Sequence, residues 1–132
     1  PSLQGASRDV IAAARSAGEE ISVPCSEPLV AFTGDTRFAV FEREPVLQQA
    51  KLLMMEVTFL DERVSVERAN STGHIHLDEV LQRSDLLCNE AILFTHLSAR
   101  YRYPEALKIL KRRLPPELAE RVTLLPRPDW CL

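Results

Sequence analysis

The stretch LVAFTGDT, residues 29–36, decides the fold. It joins an apolar run of strand length, suited to a buried strand, to a turn of small and polar residues. The run AILFT, residues 91–95, ends in the same way, with His96 directly after it. Because sites in open α/β sheets gather at the carboxyl ends of the strands, Asp35 and His96 are the first candidates for a shared site.

The rest of the chain alternates between strand and helix patterns. Further strands are predicted over residues 52–57 (LLMMEV), 121–125 and, as a short one, 19–23. Helices are predicted over residues 7–17, 45–50, 65–70, 104–113 and 116–120, and from residue 76 onward. This alternation predicts an α/β fold with a largely parallel sheet. Cys88 and Phe94 are expected in its core.

The composition is that of a globular chain without a membrane segment. Of its 132 residues, 45% are hydrophobic and 27% are charged, which suits one ordinary domain with a real core. No apolar run approaches the roughly 20 residues that a membrane-spanning helix needs, and the first residues do not have the pattern of a signal peptide. The net charge of −3 neither requires nor excludes a nucleic-acid partner. The three widely spaced cysteines form no Cys-x-x-Cys pair, which favours a reducing compartment.

The stretch GHIHLDEV, residues 73–80, scans like a metal site. His74, His76 and Asp78 match most of the His-x-His-x-Asp-His pattern of binuclear zinc hydrolases. However, the apolar residues at 77, 80 and 81 have helical spacing and place the start of a helix near His76. Asp78 and Glu79 then lie in the first turn, where carboxylates complement the helix dipole. His74 lies in the loop before this helix, and its role stays open at this point.

Charged residues elsewhere indicate further candidates. Glu56 closes the apolar run LLMM, where an unpaired carboxylate is costly, so it needs a partner such as a histidine. The basic residues at 108, 111, 112 and 113 form one helical face, which is either solvated or binds phosphate. Arg100 and Arg102, interleaved with tyrosines just after His96, are better placed to meet an anion.

Four segments, taken in order, resemble the motifs of one family. Residues 32–36 (FTGDT) resemble its Gly-Asp-Thr turn, and residues 55–60 (MEVTFL) its His-Glu-Ala-Thr-Phe segment. Residues 73–76 (GHIH) resemble its Gly-His-Ser-Thr segment, and residues 95–101 (THLSARY) its Thr-His-Ser-x-Arg-Tyr segment. The chain therefore resembles the C-terminal half of ribonuclease Z, a metallo-β-lactamase-superfamily endoribonuclease that removes the 3′ trailer of precursor tRNA. Met55 and the pair Ile75-His76 depart from the family pattern.

The resemblance implies a fold and a set of roles. The fold is half of a metallo-β-lactamase αββα sandwich, a mixed sheet flanked by helices, with residues 1–132 as a single partial domain. Asp35 and His96 would be ligands of zinc, of which the complete enzyme holds two ions and this chain alone few or none. Glu56 and His74 would form a pair that gives a proton to the leaving oxygen. Arg100 and Ser98 would bind the precursor tRNA.

The chain is also expected to be incomplete. It has three histidines, and the family's His-x-His-x-Asp-His cluster would lie in an N-terminal half that is not in this sequence. Two ligands cannot close a four-coordinate zinc site, so the chain alone is expected to be inactive and to associate with that half or form a homodimer. A cytoplasmic location is expected, with the nucleus or an organelle left open. The alternatives are a metallo-β-lactamase-fold hydrolase of another substrate, such as a small ester or sulfate, and a non-catalytic RNA- or protein-binding half-domain.

Overall fold

The structure is a computed structural model, which describes residues 3–22 and 24–125. Its centre is a four-stranded sheet, whose strands are β1 (Val30–Phe32), β2 (Leu52–Glu56), β3 (Ala91–Thr95) and β4 (Val122–Leu124). All three strand pairs are parallel, and the order in the sheet follows the order in the chain.

Seven α-helices connect or flank the strands of the described chain. They are α1 (Arg8–Ser16), α2 (Val40–Arg43), α3 (Val46–Gln49), α4 (Val66–Ser71), α5 (Leu77–Gln82), α6 (Tyr103–Arg113) and α7 (Pro116–Ala119). A single 3-10 turn, Ser84–Leu86, follows α5. Among these residues, no helix is both long enough and apolar enough to cross a lipid bilayer.

The two faces of the sheet differ in burial. Strand side chains alternate between faces, and on one face Leu53, Met55 and Phe94 are completely buried under the helices. On the opposite face of the edge strand β1, Val30 and Phe32 are 59% and 65% exposed. The predicted burial of this strand is therefore wrong for all but its middle residue, because no described element covers its second face.

At the end of the sheet where the strands begin, two side chains donate hydrogen bonds to backbone carbonyls. Buried Asn89 donates from Nδ2 to the carbonyls of Leu47 and Ala50, which end α3. Arg121 donates to the carbonyls of Leu87 and Asn89. These contacts join the loop before β3 to its neighbours on both sides. Asn89 Oδ1 is the one buried side-chain polar atom without a hydrogen-bond partner in the described part of the chain.

Most predicted elements are confirmed, two further expectations are wrong, and one helix was not predicted. Residues 19–22 form no strand, because no described strand pairs with them; Val23 lies outside the described residues. Cys88 is exposed, since it follows the 3-10 turn instead of facing the core. Helix α2 was not predicted; its Phe41 packs in the core on Phe38, with ring centroids 4.8 Å apart.

The architecture fits the predicted fold class. A parallel α/β sheet with helices on one face and a partly open second face is compatible with half of a metallo-β-lactamase sandwich. The resemblance implied a mixed sheet, but all strand pairings within the described residues are parallel.

Candidate active site

The turn after β1 carries Asp35 to the carboxyl edge of the sheet. Gly34 allows this turn because its φ of +61° lies in the left-handed region, which a side chain disfavours. The Asp35 side chain is 60% exposed. Its carboxylate oxygen Oδ2 lies 3.4 Å from Nε2 of His96, the residue directly after β3. The two strand ends singled out by the sequence therefore meet at one site.

His96 reaches this position through an unusual backbone conformation. It is the one described non-glycine residue with a positive φ, +57°. A side chain in this region costs about 1–3 kcal/mol and persists where the surroundings impose it. This backbone conformation changes the direction of the chain after β3, and the imidazole is 46% exposed at the edge of the sheet.

Glu56, the last residue of β2, organises the loops around the site. Its carboxylate is fully buried and accepts the backbone N–H groups of Thr36, Thr58 and Ile75, at 3.2, 3.1 and 3.1 Å. These three donors belong to three different loops. One carboxylate thus fixes the Asp35 turn, the loop after β2 and the loop that carries His74.

His74 completes the pair predicted with Glu56. Its Nδ1 lies 3.2 Å from Glu56 Oε1, and the ring is partly exposed. The His74 and His96 rings stack with centroids 5.0 Å apart and planes inclined by 22°. The ring of Phe59 meets His74 edge-on at 6.2 Å. These contacts hold His74 beside the Asp35–His96 pair.

The donor set at this edge could hold a metal ion, and its chemistry is compatible with zinc. One ligand atom each from Asp35, His74 and His96 lies within 4.8 Å of the other two. Nitrogen and carboxylate oxygen are the ligands that zinc takes in catalytic sites, and bonds of about 2.0–2.1 Å in tetrahedral geometry separate two ligand atoms by about 3.3 Å. The separation between Asp35 and His96 is close to this value. The geometry groups His74 with the two expected ligands, in addition to its contact with Glu56.

His76 is a structural residue. It is buried and caps α5, where its Nδ1 accepts the N–H of Asp78 at 3.1 Å and its own N–H donates to Glu79. Its Nε2 donates to the carbonyl of Asp61, also at 3.1 Å. Asp78 in turn pairs with Arg113. The metal interpretation of GHIHLDEV is therefore wrong for His76 and Asp78, and the helix-start interpretation is confirmed.

The predicted substrate-binding residues lie on the turn after His96. The N–H of Ser98 donates to the carbonyl of Thr58, which ties this turn to the loop after β2. Arg100 is exposed, and its carbonyl accepts a hydrogen bond from Arg63. Its guanidinium makes no hydrogen bond or ion pair within residues 3–22 and 24–125. The side chain of Arg100 can therefore meet an anion.

The basic face of α6 is smaller than expected. Lys108, Lys111 and Arg112 are exposed, but Arg113 points inward and binds the carbonyl of Leu60 at 2.6 Å. Three cations remain at the surface of this helix.

Sequence reasoning missed Thr58. This buried residue lies between the carboxylate and both imidazoles of the site. Threonine is uncharged, and Thr58 belongs to no periodic pattern or turn motif in the sequence. Its place in the segment MEVTFL, two residues after Glu56, was the one signal that could have marked it as a site residue.

Comparisons with known proteins agree with the geometry. The chain is 46% identical over 110 residues to tRNase Z TRZ1 of Arabidopsis thaliana, a match that covers 82% of this chain and 39% of that protein. It is 36% identical over 93 residues to tRNase Z TRZ2, chloroplastic, of the same plant, over 69% of this chain and 26% of that protein. The chain thus spans less than half the length of these relatives. No family model matches it. Along the part matched by these relatives, the chain belongs to the ribonuclease Z family.

Proposed function

We propose that this chain is part of a zinc-dependent endoribonuclease that removes the 3′ trailer of precursor tRNA. The observation that carries the proposal is the convergence of Asp35, Glu56, His74 and His96 at one edge of the sheet. The similarity to two tRNase Z proteins supports the substrate class.

Asp35 and His96 would hold a zinc ion between their facing oxygen and nitrogen atoms. A zinc ion bound there supplies Lewis-acid chemistry at a phosphodiester. Glu56 accepts hydrogen bonds only, so it orients His74 through the Nδ1–H of that ring. The other ring nitrogen of His74 is then left to give a proton to the leaving 3′ oxygen, a role that general acids perform.

Arg100 and Ser98 would bind the RNA beside this pair. Arg100 carries a permanent charge on the exposed turn that follows His96, and a guanidinium matches the geometry of a phosphate. Ser98 lies two residues from His96 on the same turn, and its backbone is fixed by Thr58. Lys108 and Lys111 are exposed on α6, the helix that follows this turn in the chain.

The site in this chain is open and needs further protein. Asp35 and His96 are both about half exposed, and the apolar side chains of Val30 and Phe32 face solvent on the adjacent strand. We infer that residues 1–132 form a partial domain whose open face packs against the N-terminal part of a longer protein. That part would supply the remaining ligands. A second copy of this chain is the alternative occupant.

Two exposed free thiols, Cys25 and Cys88, are compatible with a reducing compartment. We propose the cytoplasm, although one relative is described as chloroplastic.

The proposal is tested in the full-length protein. We expect His74→Ala to lower the rate of precursor-tRNA cleavage by about 10²–10⁴-fold, the usual contribution of a general acid, with zinc content retained. Asp35→Ala and His96→Ala should lower both activity and zinc content. Equal losses of zinc in all three variants would make His74 a ligand instead. A full-length protein that binds zinc but leaves precursor tRNA intact would disprove the function.

The isolated chain provides a second test. The 132-residue chain should show no cleavage and should bind little zinc. Size-exclusion chromatography over a range of concentrations distinguishes its partners. A dimer would identify a second copy of the chain as the occupant of the open face, and a monomer would leave that face to the N-terminal part of a longer protein. Cleavage by the chain alone would contradict the partial-domain proposal.

A further inference from the structure

The hydroxyl of Thr58 contacts three polar groups of the site at once. Thr58 is buried in the loop after β2, and its Oγ1 lies 2.6 Å from Glu56 Oε2. The same oxygen lies 2.9 Å from Nδ1 of His96 and 3.4 Å from Nδ1 of His74. A single hydroxyl therefore joins the buried carboxylate to both stacked imidazoles.

Counting donors decides where the hydroxyl proton lies. A hydroxyl has one proton and two lone pairs, whereas a carboxylate only accepts. Glu56 is surrounded by donors, with the N–H groups of Thr36 and Ile75 on Oε1 and that of Thr58 on Oε2. The contact from the hydroxyl to Oε2 is also the shortest of its three. The hydroxyl proton therefore points to Glu56.

The imidazole of His96 must then be a donor toward Thr58. With its one proton used, Oγ1 offers lone pairs only, so the 2.9 Å contact requires a proton on Nδ1 of His96. The ring nitrogen on the opposite side, Nε2, is the one that lies 3.4 Å from Asp35 Oδ2. In the neutral ring this tautomer leaves the Nε2 lone pair directed to Asp35.

We propose that Thr58 is a positioning residue that selects the Nδ1–H tautomer of His96, by donating to Glu56 and accepting from the imidazole. In this arrangement Nε2 of His96 and Oδ2 of Asp35 are two acceptors that face each other without a proton between them. A cation between the two acceptor atoms would offset the repulsion between their lone pairs. Ligating histidines are commonly oriented by a hydrogen bond to the other ring nitrogen. The benefit for metal binding rests on the proposed function, whereas the tautomer itself does not.

The chain offers matched variants. Thr58→Val keeps the shape of the side chain and removes the hydroxyl, and Thr58→Ser keeps the hydroxyl. Thr95→Val is the control, because the Thr95 hydroxyl lies next to His96 in the chain but donates to the carbonyl of Met55 at 3.2 Å. A general loss of threonine packing would affect the two valine variants alike.

The first measurement is the tautomer of His96 in the metal-free chain. Two-bond proton–nitrogen correlation spectra of the histidine-labelled chain, recorded on the neutral imidazole, should show Nδ1 protonated and Nε2 bare. Thr58→Ser and Thr95→Val should retain this pattern, and Thr58→Val should change it to a mixture dominated by Nε2–H. A wild-type spectrum with Nε2–H would overturn the inference, whether or not any variant folds, and so would an unchanged spectrum of folded Thr58→Val.

The second measurement is zinc affinity in the full-length protein. Thr58→Val should weaken zinc binding by about 10–100-fold, the usual effect of losing an outer partner of a ligand, while Thr58→Ser restores it. Affinity that is equal in all variants would refute the link between tautomer and metal. If the tautomer is as stated but wild-type protein binds no zinc, the proposed function fails and the role of Thr58 in orienting His96 stands.

Discussion

Two buried carboxylates, Glu56 and Asp61, organise neighbouring clusters that have opposite relations to solvent. The site cluster consists of Glu56 with Asp35, Thr58, His74 and His96, and its imidazoles reach the surface. The Asp61 cluster consists of Asp61, Arg63, His76 and Tyr101, and both His76 and Tyr101 are buried.

The difference lies in how fully each polar atom is paired. In the Asp61 cluster, both ring nitrogens of His76 have protein partners, and the Tyr101 hydroxyl donates to Asp61 while accepting the N–H of Leu60. In the site cluster, Nε2 of His74 has no partner among the described residues. His76 therefore has a structural role, whereas one ring nitrogen of His74 remains unpaired among the described residues.

The largest effect on stability is expected from Glu56→Ala. The substitution removes the acceptor of three backbone N–H groups and of the Thr58 hydroxyl. We expect the free energy of unfolding to fall by about 3–5 kcal/mol, as for other broken buried polar networks. Urea denaturation measures it. A loss of zinc binding at unchanged stability would mean that Glu56 does not organise the loops.

Tyr101→Phe removes the central hydroxyl of the Asp61 cluster. The N–H of Leu60 then loses its acceptor and Asp61 loses a donor. We expect a loss of about 1–3 kcal/mol in the free energy of unfolding, the cost of leaving a buried polar group unpaired. Zinc affinity of the full-length protein should be unchanged, since no ligand is touched. A selective loss of zinc affinity would join the two clusters into one functional unit.

The same hydroxyl gives the Asp61 cluster a dependence on alkaline pH. Burial raises the pKa of the Tyr101 phenol above its ordinary value of 10.0. The folded state therefore disfavours ionisation of Tyr101. The contribution of the neutral phenol to stability is complete below the pKa that Tyr101 has in the unfolded chain, and it is lost as pH rises through the higher pKa of the folded state. Unfolding titrations above pH 10 should show a steeper decline for wild type than for Tyr101→Phe. Parallel slopes would contradict this.

His76→Asn tests whether capping alone explains His76. Asparagine is a good N-cap residue, but it cannot also reach the carbonyl of Asp61 as the imidazole does. We expect a loss of about 1 kcal/mol, the net value of one hydrogen bond. Cleavage by the full-length protein should stay near wild type, in contrast to the expected result for His74→Ala.

The smallest effect is expected at the exposed rim of the Asp61 cluster. Arg63 pairs with Glu105, and this hydrogen bond lowers the pKa of the Glu105 carboxyl. Any stability from this shift is present above the unfolded pKa and is lost as pH falls through the folded pKa. Nuclear magnetic resonance titration should show the pKa of Glu105 rising toward its free value in Arg63→Gln. The midpoint of urea unfolding should fall less than in Tyr101→Phe, because the Arg63–Glu105 pair is exposed and only the contact of Arg63 with Asp61 involves a buried group.

The sequence predicted the elements whose signal is local. The apolar run at Ala91–Thr95 became β3 with the expected bounds, and Asp35, Glu56, His74 and His96 met as the motifs implied. Asp35 and His96 were also foreseeable on physical grounds, since parallel strands bring their ends together.

What the sequence did not predict depends on three-dimensional neighbours. The apolar residues of β1 by themselves gave no sign that one side of the strand would lack a cover, because hydrophobicity does not say which chain supplies the contact. Only the resemblance to half of a two-sheet sandwich implied an exposed apolar face. Likewise, the role of Thr58 arises only when two loops distant in the chain bring His74 and His96 to its hydroxyl.

Strand order in this sheet matches the order of synthesis, and this has a consequence for folding on the ribosome. As each strand emerges, from β1 to β4, it can join the edge that the previous strand has just formed. None has to wait for a later segment or insert between two strands already paired. Nascent chains arrested after β2, after β3 and after β4 should therefore show stepwise gains in protease resistance.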